Sequence, residues 1–289
     1  MKLIKATAEI KKDMKKHRFR GRSIGFVPTM GTLHQGHLSL VEQSKKENNI
    51  TVVSIFVNPT QFAPGEDFAA YPRDFETDKK ALRELGVDIL FLPGGREIYP
   101  DGYSTYVEVE KPGQVLCGRT RPTHFRGVTT VVLKLFNIVT PDNAYFGRKD
   151  AQQAVIIKKM VKDLDLDVTI RTLPIVRAAD GLALSSRNTY LSRDEREAAL
   201  ALSRGLRKAE QFVGDGLRKA ADIKQIVKKE LEIGELIKID YIEVVSLTTL
   251  EPFDAGNKDA EIDVNNTLTA AAIWVGKTRL IDNFILGDI

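Results

Sequence analysis

Short apolar runs alternate with amphipathic stretches over the first two thirds of the chain. Residues 23–29 (SIGFVPT) are almost uninterruptedly apolar and predict a buried strand. The following GHLSLVEQSKKEN predicts a helix, with Leu38, Leu40 and Val41 inward and Lys45, Lys46 and Glu47 outward. ITVVSIFVNP is a second, β-branched strand that Pro59 stops. RDFETDKKALRELG predicts a helix with acids early, Phe75, Leu82 and Leu85 on one face, and Gly86 past its end. VDILFLP is a third strand, so the order is β-α-β-α-β, the grammar of a parallel, doubly wound sheet.

The pattern continues with YSTYVEVE, whose alternation predicts an excursion strand, and with FRGVTTVVLKLFNIV, a helix with Val128, Val132, Leu135 and Ile138 at helical spacing. NAYFG is a short strand, KDAQQAVIIKKMVKDLD a helix, VTIRTLPIVR another strand, and a Lys-rich helix opens the chain. Beyond AADGLALSSRN two helices precede three strands (IDYIEVVSL, TLTAAAIWVG, TRLIDNFIL), which reads as a separate α+β domain. The expectation is an α/β, doubly wound parallel-sheet (Rossmann-like) N-terminal domain, residues 1–179, and a smaller α+β C-terminal domain, residues 180–289.

Composition narrows the function. The 289 residues carry 43 Lys+Arg and 39 Asp+Glu, a balance of +4 that suits anionic small molecules and argues for neither nucleic acid nor membrane. One cysteine, Cys117, excludes an intrachain disulfide and fits a reducing, cytoplasmic compartment. No run of about 18 apolar residues could span a bilayer.

The candidate chemistry lies where strands end, which is where ligands bind in open parallel sheets. PTMGTLHQGHLSL leaves the first predicted strand, and helix-terminal N–H groups at Met30–His37 favour an anion. Gly31 and Gly36 permit close approach. His34 and His37, three apart, can serve the same group, as two donors for charge on a transferring phosphate. A zinc pair is the other reading, with His124 as the one histidine left for a third ligand. Asn58 and Gln61 in FVNPTQF offer amides to a hydroxylated, anionic substrate. In FGRKDAQQ, Lys149 offers a phosphate charge, with Asp150 and Gln153 near one helical face. LALSSRN offers two hydroxyls and a guanidinium at the domain boundary.

With PTMGTLHQGH, FVNPTQF, HFRGV, FGRKDAQQ and ALSSRN in this order and spacing, the chain closely resembles the pantothenate synthetase (pantoate–β-alanine ligase) family of the nucleotidylyltransferase superfamily. The His-x-Gly-His element marks only the superfamily; the other four blocks make the likeness specific. The resemblance implies condensation of pantoate with β-alanine, using ATP and Mg²⁺, through a bound pantoyl adenylate. It implies ATP contacts from Met30, Gly31, Thr32, Leu33, His34, Gln35, Gly36, His37, Gly147, Arg148, Lys149, Asp150, Val176, Leu184, Ser185, Ser186 and Arg187. His34, His37 and Lys149 would stabilise the transition state, and Leu184–Arg187 would form a lid on the phosphates. Asn58, Gln61 and Gln153 would hold pantoate and β-alanine; metal ligands are not identified. A homodimer is implied as well. Arg148 departs from the glutamate common in the family and makes the nucleotide loop more basic. Another nucleotidylyltransferase, acting on a phosphorylated acceptor, and a non-catalytic nucleotide- or RNA-binding protein on the same fold are the alternatives.

Overall fold

The computed structural model describes residues 1–63 and 65–289. In chain order its elements are β1 (Lys2–Ile4), α1 (Thr7–Phe19), β2 (Ile24–Thr29), α2 (Gln35–Glu47), β3 (Ile50–Ile55), α3 (Phe75–Glu84), β4 (Ile89–Phe91), the single turns α4 (Gly95–Ile98) and α5 (Cys117–Thr120), then α6 (His124–Val139), β5 (Asn143–Gly147), α7 (Ala151–Asp163) and β6 (Thr169–Leu173). There follow α8 (Arg193–Gly214), α9 (Ala220–Leu231), β7 (Ile237–Ser246), β8 (Asn266–Val275) and β9 (Thr278–Gly287).

Six strands form one parallel sheet in the order β1-β4-β3-β2-β5-β6, and β7-β8-β9 form an antiparallel sheet. The expected fold class is what is found. By compactness the chain divides into two units: 1–113, 120–147 and 156–173 in the first, and 114–119, 148–155 and 174–289 in the second.

In the first unit, β2 and β3 are buried along nearly their whole length, as expected of parallel strands covered on both faces. Val27, Val53, Ile55 and Leu90 meet Leu40 and Val41 of α2 and Leu82 of α3 in one core. Gly25 admits α2 against β2, because a Cβ there would lie 2.5 Å from the Asn48 amide. Strand order reverses between β2 and β5: the chain builds outward through β3 and β4, then returns to add β5 and β6. Ligands of such sheets bind beyond the carboxyl ends at this switch point.

Two elements differ from expectation. β1 is an edge strand parallel to β4, too short for any periodicity to reveal it. Residues 103–110 are not a strand. Among the described residues no strand pairs with them; the Val107 N–H donates to Thr130 Oγ1 at 2.9 Å and its carbonyl accepts from Thr129 Oγ1 at 2.6 Å, both on α6. Side-chain hydroxyls thus replace a ladder.

In the second unit, α8 and α9 pack on one face of the three-stranded sheet through Leu202, Leu206, Ile223, Val227, Val244, Ile273 and Phe284. Ser192 and Glu195 start α8 with a reciprocal cap. Among the described residues no helix is long and apolar enough to cross a membrane.

Candidate functional site

The loop after β2 is held from below by a buried carboxylate. Asp78, in the first turn of α3 and 3% exposed, accepts from the Thr32 and Leu33 N–H groups at 2.7 Å each. Burial pushes its pKa up despite these two bonds. The loop turns through Gly31 at φ +86° and Thr32 at φ +51°, left-handed values that suit glycine and are uncommon for threonine. The Thr32 hydroxyl donates to the Pro72 carbonyl at 2.7 Å, fixing that conformation.

His34 is the N-cap of α2, and the two histidines cap it reciprocally. His34 Nδ1 accepts from the Gly36 N–H at 3.2 Å, and His37 Nδ1 accepts from the His34 N–H at 3.3 Å. The rings lie 4.0 Å apart, tilted by 37°. A neutral imidazole that accepts at Nδ1 carries its proton on Nε2. The cap therefore sets both tautomers so that the Nε2 atoms are donors, beside the positive end of a helix dipole. The N–H groups of Thr32, Leu33, His34 and Gly36 are taken up by Asp78 and the imidazoles, so the imidazole Nε2–H groups add donors to this turn.

The second predicted segment is equally tied down. Asn58 is 1% exposed. Its Oδ1 accepts from Tyr99 Oη at 2.8 Å and Thr60 Oγ1 at 2.9 Å; its Nδ2 donates to Gln61 Oε1 and to the Gly127 carbonyl, each at 3.1 Å. Burial pushes Tyr99 up to about 12, so it remains a donor throughout the physiological range. Asn58 thus has both polar atoms engaged within the fold, one of them on the Gln61 side chain. Gln61, its Oε1 held, directs Nε2 towards Met30 Sδ at 2.9 Å, which brings the first two predicted segments together.

Gly127 of HFRGV lets α6 approach this turn; a Cβ there would lie 2.7 Å from the Gln61 nitrogen. His124 Nδ1 donates to the Gln61 carbonyl at 2.8 Å and its Nε2 faces Arg121 Nη1 at 3.2 Å. Arg121 in turn grips Glu66 with two bonds, at 2.7 and 2.6 Å. His124 is thus committed to the backbone of Gln61. Among the described residues no group of three or more His, Cys, Asp and Glu side chains could hold a metal ion.

Gly147 ends β5 in the first unit, and the second unit carries the other remaining predicted residues. Arg148–Asp150 form a 3-10 turn that runs into α7. Asn283 Nδ2 donates to the carbonyls of Arg148 and Lys149 at 3.0 and 2.9 Å. In α7 the two adjacent glutamines diverge: Gln152 is buried and bonds Cys117 N and the Val115 carbonyl, whereas Gln153 is half-buried. Residues 176–184 form a hairpin: the Leu184 N–H donates to the Val176 carbonyl at 3.0 Å and the Ala178 N–H to the Leu182 carbonyl at 2.9 Å. Asp282, 2% exposed, clamps this hairpin through a bidentate pair with Arg177 at 2.6 and 3.1 Å. Ser185 caps the following 3-10 turn by accepting from the Arg187 N–H. Sequence reasoning misses Asp78, Tyr99, Asp282 and Asn283. The last two leave a signal, a polar pair interrupting the apolar TRLIDNFIL; Asp78 leaves none that separates it from the other acids of α3.

A parallel sheet with an imidazole-capped helix at its switch point, and amides fixed at the next strand exit, defines a doubly wound α/β protein equipped for a phosphorylated ligand. The family model for pantoate-beta-alanine ligase matches residues 2–285. The pantothenate synthetase of Thermotoga petrophila is 53% identical over 287 residues, 99% of this chain and 100% of that one. A crystal structure of pantothenate synthetase from Thermus thermophilus superposes with a TM-score of 0.92 at 42% identity, covering 100% of both chains. The pantoate-beta-alanine ligase of Francisella tularensis, crystallised with β,γ-ATP and β-alanine, gives 0.80 at 35% identity over 99% of this chain and 97% of that one. The chain belongs to the pantoate–β-alanine ligase family.

Proposed function

We propose that the protein condenses pantoate with β-alanine at the expense of ATP, giving pantothenate, AMP and pyrophosphate. The pantoate carboxylate attacks the α-phosphorus and pyrophosphate departs, leaving pantoyl adenylate. The β-alanine amine then attacks the activated carbonyl, loses a proton, and expels AMP. Both nucleophiles belong to substrates, so the protein's task is positioning and charge stabilisation. The observation that carries this reading is the reciprocal cap of His34 and His37, whose Nε2–H donors suit charge developing on the phosphate during adenylyl transfer.

In this reading Met30–His37 hold ATP, Lys149 and Arg187 supply charge to its phosphates, and Val176 lies against adenine. Gln61 and Gln153 bind pantoate, and Gln61 serves β-alanine too. Asn58 acts by orienting Gln61. ATP enters as its magnesium complex, so the ion is part of the substrate; Mg²⁺ retains waters and phosphate oxygens and needs no dedicated protein cage. The resemblance also supports a homodimer, which light scattering tests, and the single Cys117 favours a reducing, cytoplasmic setting.

The test is a product analysis with all three substrates. Pantothenate and AMP should appear in equal amounts. ADP and inorganic phosphate in place of AMP would overturn the reading, because an acyl phosphate would then be the intermediate.

A further inference from the structure

We propose that Asn283 of β9 is a positioning residue for the nucleotide loop, acting through Lys149; this rests on the assignment of Lys149 to the phosphates. Asn283 is 4% exposed, and both of its amide protons go to consecutive main-chain carbonyls, those of Arg148 and Lys149. In a trans peptide the carbonyl and the next N–H point in opposite directions. Drawing the two carbonyls to Asn283 therefore turns the Lys149 N–H to the opposite side, in the 3-10 turn that runs into α7, where the helix dipole favours an anion. The Lys149 side chain starts from a main chain fixed on both sides of its Cα.

Three features separate this from ordinary packing. The Asn283 Oδ1 is buried with no hydrogen-bond partner, so the residue carries an unsatisfied acceptor that an apolar side chain would avoid. No rotation of the amide relieves it, since exchanging oxygen and nitrogen would set an acceptor against two carbonyls. Its own main chain is locked as well: the Asn283 N–H donates to Asp282 Oδ1 at 2.8 Å, and Asp282 is the residue that clamps Arg177 at the base of the 176–184 hairpin. Adjacent residues of one strand thus anchor the Lys149 turn and the hairpin that leads into Ser185–Arg187.

A double-mutant cycle tests the proposal, read as MgATP affinity by calorimetry and as kcat/KM for ATP. Asn283→Ala should lower both by about 10- to 100-fold, the scale of a misplaced contact group, with the KM for pantoate unchanged within about twofold. In a Lys149→Ala background the same substitution should cost less than about threefold, because the group it positions is gone. Asn283→Asp should be worse than Asn283→Ala, since it faces two carbonyls with a third acceptor. If Asn283→Ala does not fold, Asn283→Ser, which keeps one donor, takes its place in the cycle and should give an intermediate loss. Losses that multiply fully in the double mutant, or that fall equally on pantoate, would overturn the proposal. The calorimetric cycle uses no acid substrate, so it stands or falls separately from the identity of the acid that is activated.

Discussion

Replacing Asn58 by Asp keeps the shape of the side chain and removes its two donors. In the native protein these face Gln61 Oε1 and the Gly127 carbonyl at 3.1 Å, in a position that is 1% exposed. A carboxylate oxygen there opposes both. Gln61 can relieve its share by rotating its amide, so that Nε2 turns to the new carboxylate and Oε1 takes the place of Nε2 near Met30. The face offered to pantoate then changes from donor to acceptor. A hydrogen bond to a charged group contributes about 1.5–3 kcal/mol. At about 1.4 kcal/mol per factor of ten, the KM for pantoate should rise roughly 10- to 150-fold. The KM for ATP should change by less than about threefold, because Asn58 reaches the nucleotide site only through Gln61. Steady-state kinetics with each substrate varied, beside a thermal melt to show that the variant folds, measures both. A folded Asn58→Asp enzyme with unchanged pantoate KM, or with equal damage to ATP, would refute the claim that Asn58 sets the orientation of Gln61.

Three further outcomes are expected. His34→Ala and His37→Ala should each lower turnover by about 10²–10³, the effect of removing one preorganised donor, and wild-type turnover in either would remove the histidines from the mechanism. Asp78→Asn leaves one of the Thr32 and Leu33 N–H groups without its acceptor and should cost about 1–3 kcal/mol in urea unfolding; an unchanged midpoint and slope would contradict the role given to this carboxylate. Burial alone would raise Glu66, but the bonds and charge of Arg121 hold its pKa below the ordinary 4.5. A depressed folded-state pKa contributes stability that is complete above about pH 4.5 and is lost as the pH falls through the folded value. Glu66→Gln should therefore be less stable than wild type at pH 7, by about 1 kcal/mol for this partly exposed pair, and the difference should vanish in acid; a difference independent of pH would contradict it.

The sheet, its covering helices and the C-terminal change of grammar were legible because each depends on local patterns: apolar runs in β2 and β3, helical spacing in α6, two helices followed by three strands beyond residue 180. The strand expected at 103–110 shows the limit of such patterns. Its alternation is real, but a ladder needs a neighbour, and the neighbour is a helix whose threonines supply the bonds instead. At the site, sequence spacing singled out His34 and His37 as a pair beside a helix terminus, where their rings lie 4.0 Å apart. It could not tell that they cap the helix themselves, because that depends on Nδ1 facing the main chain. Asn58 and Gln61 look alike in sequence and both are buried; what separates them is that Asn58 spends both polar atoms on Tyr99, Thr60, Gln61 and Gly127, whereas Gln61 Nε2 faces the Met30 thioether. Asp78 and Asn283 act across 45 and 134 residues of chain, on Leu33 and Lys149, and no local pattern carries such a distance.

The account turns on adenylation of pantoate before β-alanine takes part. Labelled pyrophosphate should exchange into ATP when enzyme, Mg²⁺, ATP and pantoate are present and β-alanine is absent. Lys149→Ala should suppress this exchange. Exchange that begins only when β-alanine is added would contradict the two-step reaction, and exchange that proceeds equally well without pantoate would mean that the activated acid is another.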